Sequence, residues 1–537
     1  MRNFYFITVM GILFLAVSAL DACTNYLITR AASADSSTMI TYTADSQHLY
    51  GELYYRPAGD YADSAMVDVL EWDTGKFLGR IPQVRHTYAV IGNMNEHQLA
   101  LGETTFGGRL ELIDTTAIVD YGSLIYFTLQ RARTAREAIH VMADLVAEYG
   151  YYSDGESFSI SDPNEVWIME MIGKGVGNKG AVWVAQKVPD GYVCAHANQA
   201  RIRQFPLDDT LNCLYASDVI SFARENGWYK GSDQDFSYAD TYCPLDYEAL
   251  RFCESRVWSF YRRIAPSQNL SMDYVKGKKG ARPLPLFIKP DKKVTVEDMM
   301  AYMRDHFEGT EWDMTKGLDA GPYHVPYRWR PLTWELDGKK YCWERAASTQ
   351  QTGFSFFTQS RNYLPDGIGG VFWFGVDDTY STCYFPIYCN AKEVPAAFAQ
   401  HNGSLNQFSW DAAFWVFNWV SNFAYTRYQD IIQDVQVVQN SLESKFIRLQ
   451  PAVEQTAANL WTRDSSLALA YLNDYSYQQG ERVMKAWQKL AQDLFVKFLD
   501  GYVKDKNGTP QWSGYPEEWL REVIRNRGKD HYRIPEN

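Results

Sequence analysis

An apolar leader stops at Cys23, and a β-strand pattern begins immediately behind it. The leader carries Arg2, then the apolar run from Phe6 to Val17, then the small residues Ser18 and Ala19. This is the layout of a secretory signal peptide, too short for a membrane span. The segment Thr24-Asn25-Tyr26-Leu27-Ile28-Thr29 is rich in β-branched and aromatic residues and reads as a strand. A chain cut before Cys23 therefore begins with a thiol and a free α-amine on one residue, at the head of a strand. A nucleophile and a base side by side make a catalytic device.

Leu20-Asp21-Ala22-Cys23 also resembles a lipoprotein box, in which the cysteine is lipidated and its amine acylated. An acylated amine takes no proton, so the two fates exclude each other. Asp21 fits that box poorly, and no flexible polar tether follows the cysteine. The chain is therefore expected to be exported, periplasmic or extracellular, with a lipid-anchored surface form as the alternative. Val17-Ser18-Ala19 is a better small-x-small cleavage site than Leu20-Asp21-Ala22. Cleavage there leaves a three-residue propeptide that the Cys23 thiol would remove itself. Residues 1–22 are read as signal peptide and short propeptide.

The 537 residues are 46% apolar and 22% charged, which predicts a packed globular body rather than disorder. A net charge of −13 argues against a nucleic-acid partner. Removing Cys23 from the eight cysteines leaves an odd set, so at least one thiol stays free or pairs between chains. No CxxC and no HExxH occurs, and neither a metal nor a cofactor is expected. No transmembrane segment is expected in the mature chain, and assembly with further copies of itself stays open.

Strand patterns recur at 38–43, 85–91 and 98–105, followed by an amphipathic helix over 136–146 closed at Tyr149-Gly150. Strands return at 157–160, 165–170, 181–186 and 192–195. Residues 205–330 are irregular and proline-marked, with a short helix near 294–300; strands resume from Ser348 through 370–375. This order predicts an α+β layered body. From about Asp411 the chain turns helical. Phe414–Val420 is apolar almost all round and is expected to be buried, while Pro451 and the neighbourhood of Asn473-Asp474 are expected to break the helical region.

Several stretches resemble the secernin-related cysteine dipeptidases of the N-terminal-nucleophile hydrolase superfamily. They are Cys23-Thr24 with Asp35, Ser37-Thr38 and Asp45; Gly92–Glu96 leading to Gly102-Glu103-Thr104-Thr105; Trp167–Glu170; Trp183–Ala185; Ala197–Ile202; and Ser348–Trp373, with Gln359-Ser360-Arg361. The resemblance covers most of residues 23–430. It implies a four-layer αββα catalytic domain over 23–405, followed by a helical C-terminal extension over 406–537. It also implies hydrolysis of dipeptides or short peptides through a Cys23 thioester.

Under that resemblance Asp45 orients the ammonium or thiol, against a turn-capping aspartate as the plainer reading. Asn198 is the expected oxyanion donor, against a strand-end turn residue. Thr104 or Thr105 stands where related enzymes place a second polar group. Arg256 matches a later arginine of distant amidases, against a surface helix arginine. One departure is Tyr42, which stands where related hydrolases often carry an arginine. Cys194 with His196 is a weak alternative dyad with no third group to orient it. An amidase for bile-acid or penicillin-like amides shares the same cysteine logic. A lipoprotein binding glycans through its aromatics (15% of the chain) is the alternative from another class.

Overall fold

The computed structural model describes residues 23–536. In chain order its main strands are β1 (Asn25–Ile28), β2 (Met39–Asp45), β3 (Ala100–Gly107), β4 (Gly155–Ser161), β5 (Val166–Gly173), β6 (Ala181–Lys187), β7 (Val193–His196), β8 (Thr352–Gln359), β9 (Val371–Val376) and β10 (Phe385–Tyr388). One antiparallel sheet of seven strands runs Phe287–Ile288, β7, β1, β2, β8, β9, β10. The other, of eight, runs Cys213–Tyr215, β6, β5, β4, β3 and then three two-residue pieces. The fold is α+β, as the order of elements predicts.

Alternation along the strands shows how the layers meet. On β5, Val166, Ile168 and Ile172 join the core shared with the first sheet. Their neighbours Trp167, Met169 and Met171 join a second core under helices α1 (Tyr121–Leu129) and α2 (Ala135–Tyr149). A strand buried on both faces needs apolar residues at successive positions, and Val166-Trp167-Ile168-Met169 supplies them. Helix α2 starts where the Thr134 hydroxyl accepts the Glu137 N–H and ends at Gly150, whose φ of +78° favours glycine.

The remaining long helices pack on the first sheet: α3 (Ser255–Ile264) on β7, α4 (Ala413–Ala424) on β9, and α5 (Tyr428–Trp461) and α6 (Ser465–Lys497) on β10. Phe417 of α4 stacks on Trp487 of α6 at 4.7 Å. Helix α4 is buried along one face only; Trp419 on the other is 38% exposed. No helix among the described residues is long and apolar enough to cross a membrane.

Three expectations fail. Helix α5 runs straight through Pro451, and α6 runs through Asn473-Asp474. Packing outweighs the lost hydrogen bond at Pro451: Phe446, Val453 and Ala457 are buried, Gln450 donates to Gln359 Oε1 at 2.8 Å, and Glu454 pairs with Arg361 at 2.6 Å. The Asn473 side chain bonds Lys392 N and Glu393 instead of its own backbone, so it does not compete with the helix. The turn falls at Thr462–Asp464, where the Asp464 carboxylate accepts the Ser466 N–H. The strand expected over 85–91 is also cut short. It reduces to His86–Thr87 and Val90–Ile91, because Tyr88 N–H turns away to Gln130 O.

Candidate functional site

Strand β1 lies in the middle of the first sheet, and Cys23 stands just ahead of it. Thr24 bridges to Thr43 of β2, its N–H reaching Thr43 Oγ1 at 3.0 Å. The sheets approach closely here: a Cβ on Gly102 of β3 would lie 2.8 Å from Asn25 Nδ2 and 3.3 Å from Thr41 O. Asn25 uses that proximity. With its amide turned so that both ends are satisfied, it accepts from Glu103 N and donates to Glu103 O, each at 3.1 Å, and meets Ser159 Oγ at 3.0 Å. Bonding β1 to the main chain of β3 brings Glu103 beside Cys23.

Arg256 holds the other side. It is 1% exposed, not a surface arginine, and every nitrogen of its guanidinium is used. Nη1 donates to Cys23 O at 2.5 Å and Thr24 Oγ1 at 2.8 Å; Nη2 donates to Ala197 O at 3.1 Å and Asn198 Oδ1 at 2.8 Å; Nε donates to Phe252 O at 2.7 Å. One planar fork thus locks the nucleophile's carbonyl to the Asn198 turn.

The Cys23 thiol lies 3.8 Å from Glu103 Oε1 and 3.9 Å from Tyr42 Oη. Tyr42 donates to the same Glu103 oxygen at 2.5 Å. Burial pushes the thiol well above its ordinary range, and the charges of Glu103 and Asp45 add to that, while a hydrogen bond with the Asp45 main chain opposes it. Burial likewise raises both Glu103 and Glu156; the charge of Glu103 and the hydrogen bond to it raise Glu156 further, while that same bond favours the Glu103 carboxylate. The pair therefore holds a proton between them.

Asp45 ends β2 with its carboxylate fully enclosed. It accepts from Thr43 Oγ1 at 3.0 Å, Thr352 Oγ1 at 2.6 Å and Arg345 Nη2 at 2.7 Å. These bonds fix the segment that faces the thiol; the carboxylate itself points to Arg345.

Asn198 sits at φ +60°, in the left-handed region that Asn tolerates better than most residues. Its Nδ2 donates to Thr105 O at 2.6 Å. Glu170 of β5 shapes this turn, accepting Arg201 N at 2.5 Å and Ile202 N at 3.1 Å, and Arg201 is paired with Glu254 at 2.9 Å in a buried contact. The Trp167–Glu170 and Ala197–Ile202 stretches, distant in sequence, are thus one structural unit.

The hydroxyls of Thr104 and Thr105 turn elsewhere: Thr104 to His196 Nδ1 at 2.7 Å, Thr105 to Glu156 Oε1 at 2.9 Å. Their neighbour Glu103 is the residue of that strand that meets the sulfur. His196 is fully buried between Thr104 and Ser159; burial, with Arg201 and Arg256 nearby, lowers its pKa to about 3. Burial raises Cys194 to about 12. Neutral thiol and neutral imidazole at ordinary pH do not make a catalytic dyad. The eight cysteines are all unpaired.

The structure brings Cys23, the end of β2 at Asp45, the Asn198 turn after β7 and Arg256 of α3 together, and adds Glu103, Arg345 and Thr352 as partners that sequence reasoning missed. Tyr42 was noticed only as a departure. Its pairing with Glu103 is a signal that β-alternation in two different sheets does not carry. A cavity of about 210 Å³ lies against Asn198, Arg256 and Arg345, with Phe106, Phe252 and Leu332 on its apolar side. No group of three metal-ligating side chains occurs among the described residues.

Known proteins are similar to this chain over most of its length. The model of peptidase family C69 matches residues 53–441, beginning downstream of Cys23. A "Probable dipeptidase" of Latilactobacillus sakei is 24% identical over 401 residues, covering 71% of this chain and 77% of its own. A "Probable dipeptidase" of Salmonella dublin is 23% identical, covering 70% and 82%. "Probable dipeptidase B" of Lactococcus lactis is 21% identical over 493 residues, covering 88% and 95%. A match of this extent settles the family: the chain belongs to peptidase family C69 and is a peptidase.

Proposed function

We propose that the chain is an exported dipeptidase of the N-terminal-nucleophile type, acting through the thiol and α-amine of Cys23. Two sheets back to back with helices on each side support a four-layer αββα catalytic domain over 23–405, followed by the helical region 406–537. The observation that carries the reading is the position of Cys23. The first residue after the leader heads a central strand, its carbonyl clamped by Arg256 and its sulfur facing Tyr42 and Glu103. The relatives' names supply the substrate class, and a 210 Å³ cavity beside the site suits a small ligand.

In the cleaved chain the α-amine, with a reference pKa of about 7.7–8.0, takes the thiol proton. The proton moves within one residue, so a buried thiolate forms together with its own counter-ion. The sulfur attacks the scissile carbonyl carbon, and the electron pair moves onto the carbonyl oxygen. Collapse of that intermediate breaks the C–N bond, and the ammonium of Cys23 protonates the leaving amine. Water then attacks the thioester, the amine takes its proton, and the released thiol is restored. Asp45 and Arg345 hold the segment facing the sulfur. Asn198, oriented by Arg256, is the oxyanion donor once its amide leaves Thr105 O.

The test combines intact mass of active enzyme with turnover of a dipeptide panel and of acyl amides. A chain starting at Cys23 with a free amine, active on dipeptides and inactive as Cys23→Ala, is expected. Retention of activity by Cys23→Ala overturns the mechanism, and a diacylglyceryl group on Cys23 favours the lipoprotein. Loss of Leu20–Ala22 from Cys23→Ala rules out self-processing.

A further inference from the structure

The thiol of Cys23 has unlike surroundings on its two sides. Toward the main chain stand two arginines, Arg256 on Cys23 O and Arg345 on Asp45. Toward β3 stands acid. Glu103 and Glu156 are 2% and 1% exposed, and their Oε2 atoms receive no hydrogen bond from any other group. The other oxygens are engaged by Tyr42 and Thr105. The charges weighing most on the pair are acidic too, Asp73 and Asp154. Among the described residues no lysine or arginine pairs with either carboxyl. With one proton shared between them the pair keeps a single negative charge, and the cations able to meet it are the Cys23 ammonium of the cleaved chain and one brought by the substrate.

A dipeptide carries one. Bond lengths and angles at Cα put the α-nitrogen about 2.5 Å from the carbonyl carbon that the sulfur attacks. At attack that carbon lies about 3–3.5 Å from the sulfur. Glu103 Oε1 is 3.8 Å from the sulfur. An α-ammonium swung toward β3 therefore comes within hydrogen-bond reach of Glu103. An amine further along a side chain, or an acyl group with none, leaves the carboxyl unpaired.

We propose that Glu103, backed by Glu156, binds the α-ammonium of the residue whose carbonyl is attacked, and so selects peptides with a free amino end. This rests on the function proposed above and adds its specificity residue. Rejection of uncharged acyl groups follows from the cost of an unmet buried polar group, which discriminates more strongly than apolar fit.

The test compares Ala-Ala with propionyl-alanine, the same molecule without the ammonium. In the wild-type enzyme kcat/KM is expected to favour Ala-Ala by ~100-fold or more. In Glu103→Gln the Ala-Ala value is expected to fall by ~30-fold or more, chiefly through KM, and that for propionyl-alanine by far less, so that the ratio collapses. Tyr42→Phe keeps the carboxylate and is expected to keep the ratio. A wild-type ratio near one overturns the proposal without any variant, even where Glu103→Gln fails to fold. Equal losses on both substrates in Glu103→Gln overturn it in favour of a role toward the Cys23 amine or thiol. Failure of the wild-type enzyme on every dipeptide is a different result: it removes the dipeptidase reading itself.

Discussion

The Asp45–Arg345 pair offers the sharpest test of how the site is held together. Arg345 and Asp45 side chains are 3% and 0% exposed, and their contact is 2.7 Å. Removing one partner of such a pair leaves a charge in a dry site, at about 3–5 kcal/mol, whereas removing both costs much less. Asp45→Asn keeps the shape and the Thr43 and Thr352 hydroxyls as neighbours; Arg345→Met keeps most of the volume. Each single variant is expected to lose about 3–5 kcal/mol. The double variant should lose at least ~2 kcal/mol less than the sum. Over roughly five hundred residues the unfolding entropy is about 1.1 kcal/mol per kelvin. Each single therefore lowers Tm by only about 3–5 °C, and the coupling amounts to about 2 °C. Differential scanning calorimetry on the full chain, with reversibility checked by rescanning, resolves that. Additivity within ~0.5 kcal/mol would falsify the claim that the two charges depend on each other. The singles should also lose activity, because Asp45 lies in the segment facing the thiol.

Two further outcomes are expected. Gly102→Ala places a Cβ 2.8 Å from the end of the Asn25 amide and 3.3 Å from Thr41 O, so it should push β1 from β3. We expect kcat to fall at least ~10-fold with most of the fold retained by circular dichroism; full activity would mean that the close approach does not set the site. His196 is held neutral, its pKa lowered from 6.5 to about 3. A depressed folded pKa gives stability that is complete above about pH 6.5 and is lost as pH falls toward 3, at up to ~1.4 kcal/mol per pH unit. His196→Gln removes that titration, so its unfolding midpoint should fall less steeply than wild type between pH 6.5 and 4. Parallel curves would show that His196 is protonated in the native state or does not carry the acid sensitivity.

Much of the body was readable because local patterns act within one element. The run Val166–Met169 is apolar at successive positions and became part of a strand buried on both faces, and the 3.6-residue spacing after Thr134 became α2 with its glycine stop. Where the reading failed, a contact from elsewhere overruled the local rule. Pro451 stays helical because α5 is packed and bonded on both sides of it. Arg256 sits in an irregular, proline-marked region and gave no sign of burial, yet it became the clamp on Cys23.

The sequence alone determined that a thiol can stand at the head of a strand after an apolar leader, and that an α+β body of apolar strands with a helical end must follow. These are one-dimensional facts of order, periodicity and composition. The tertiary structure decided what surrounds the thiol: Arg256 from 233 positions away, Glu103 from 80 positions away, and Arg345 reaching Asp45 across 300. Which charges share a buried site depends on how two sheets approach each other. That approach is set by side-chain volume across the interface, such as the bare Cα of Gly102 against Asn25, and no local pattern encodes it.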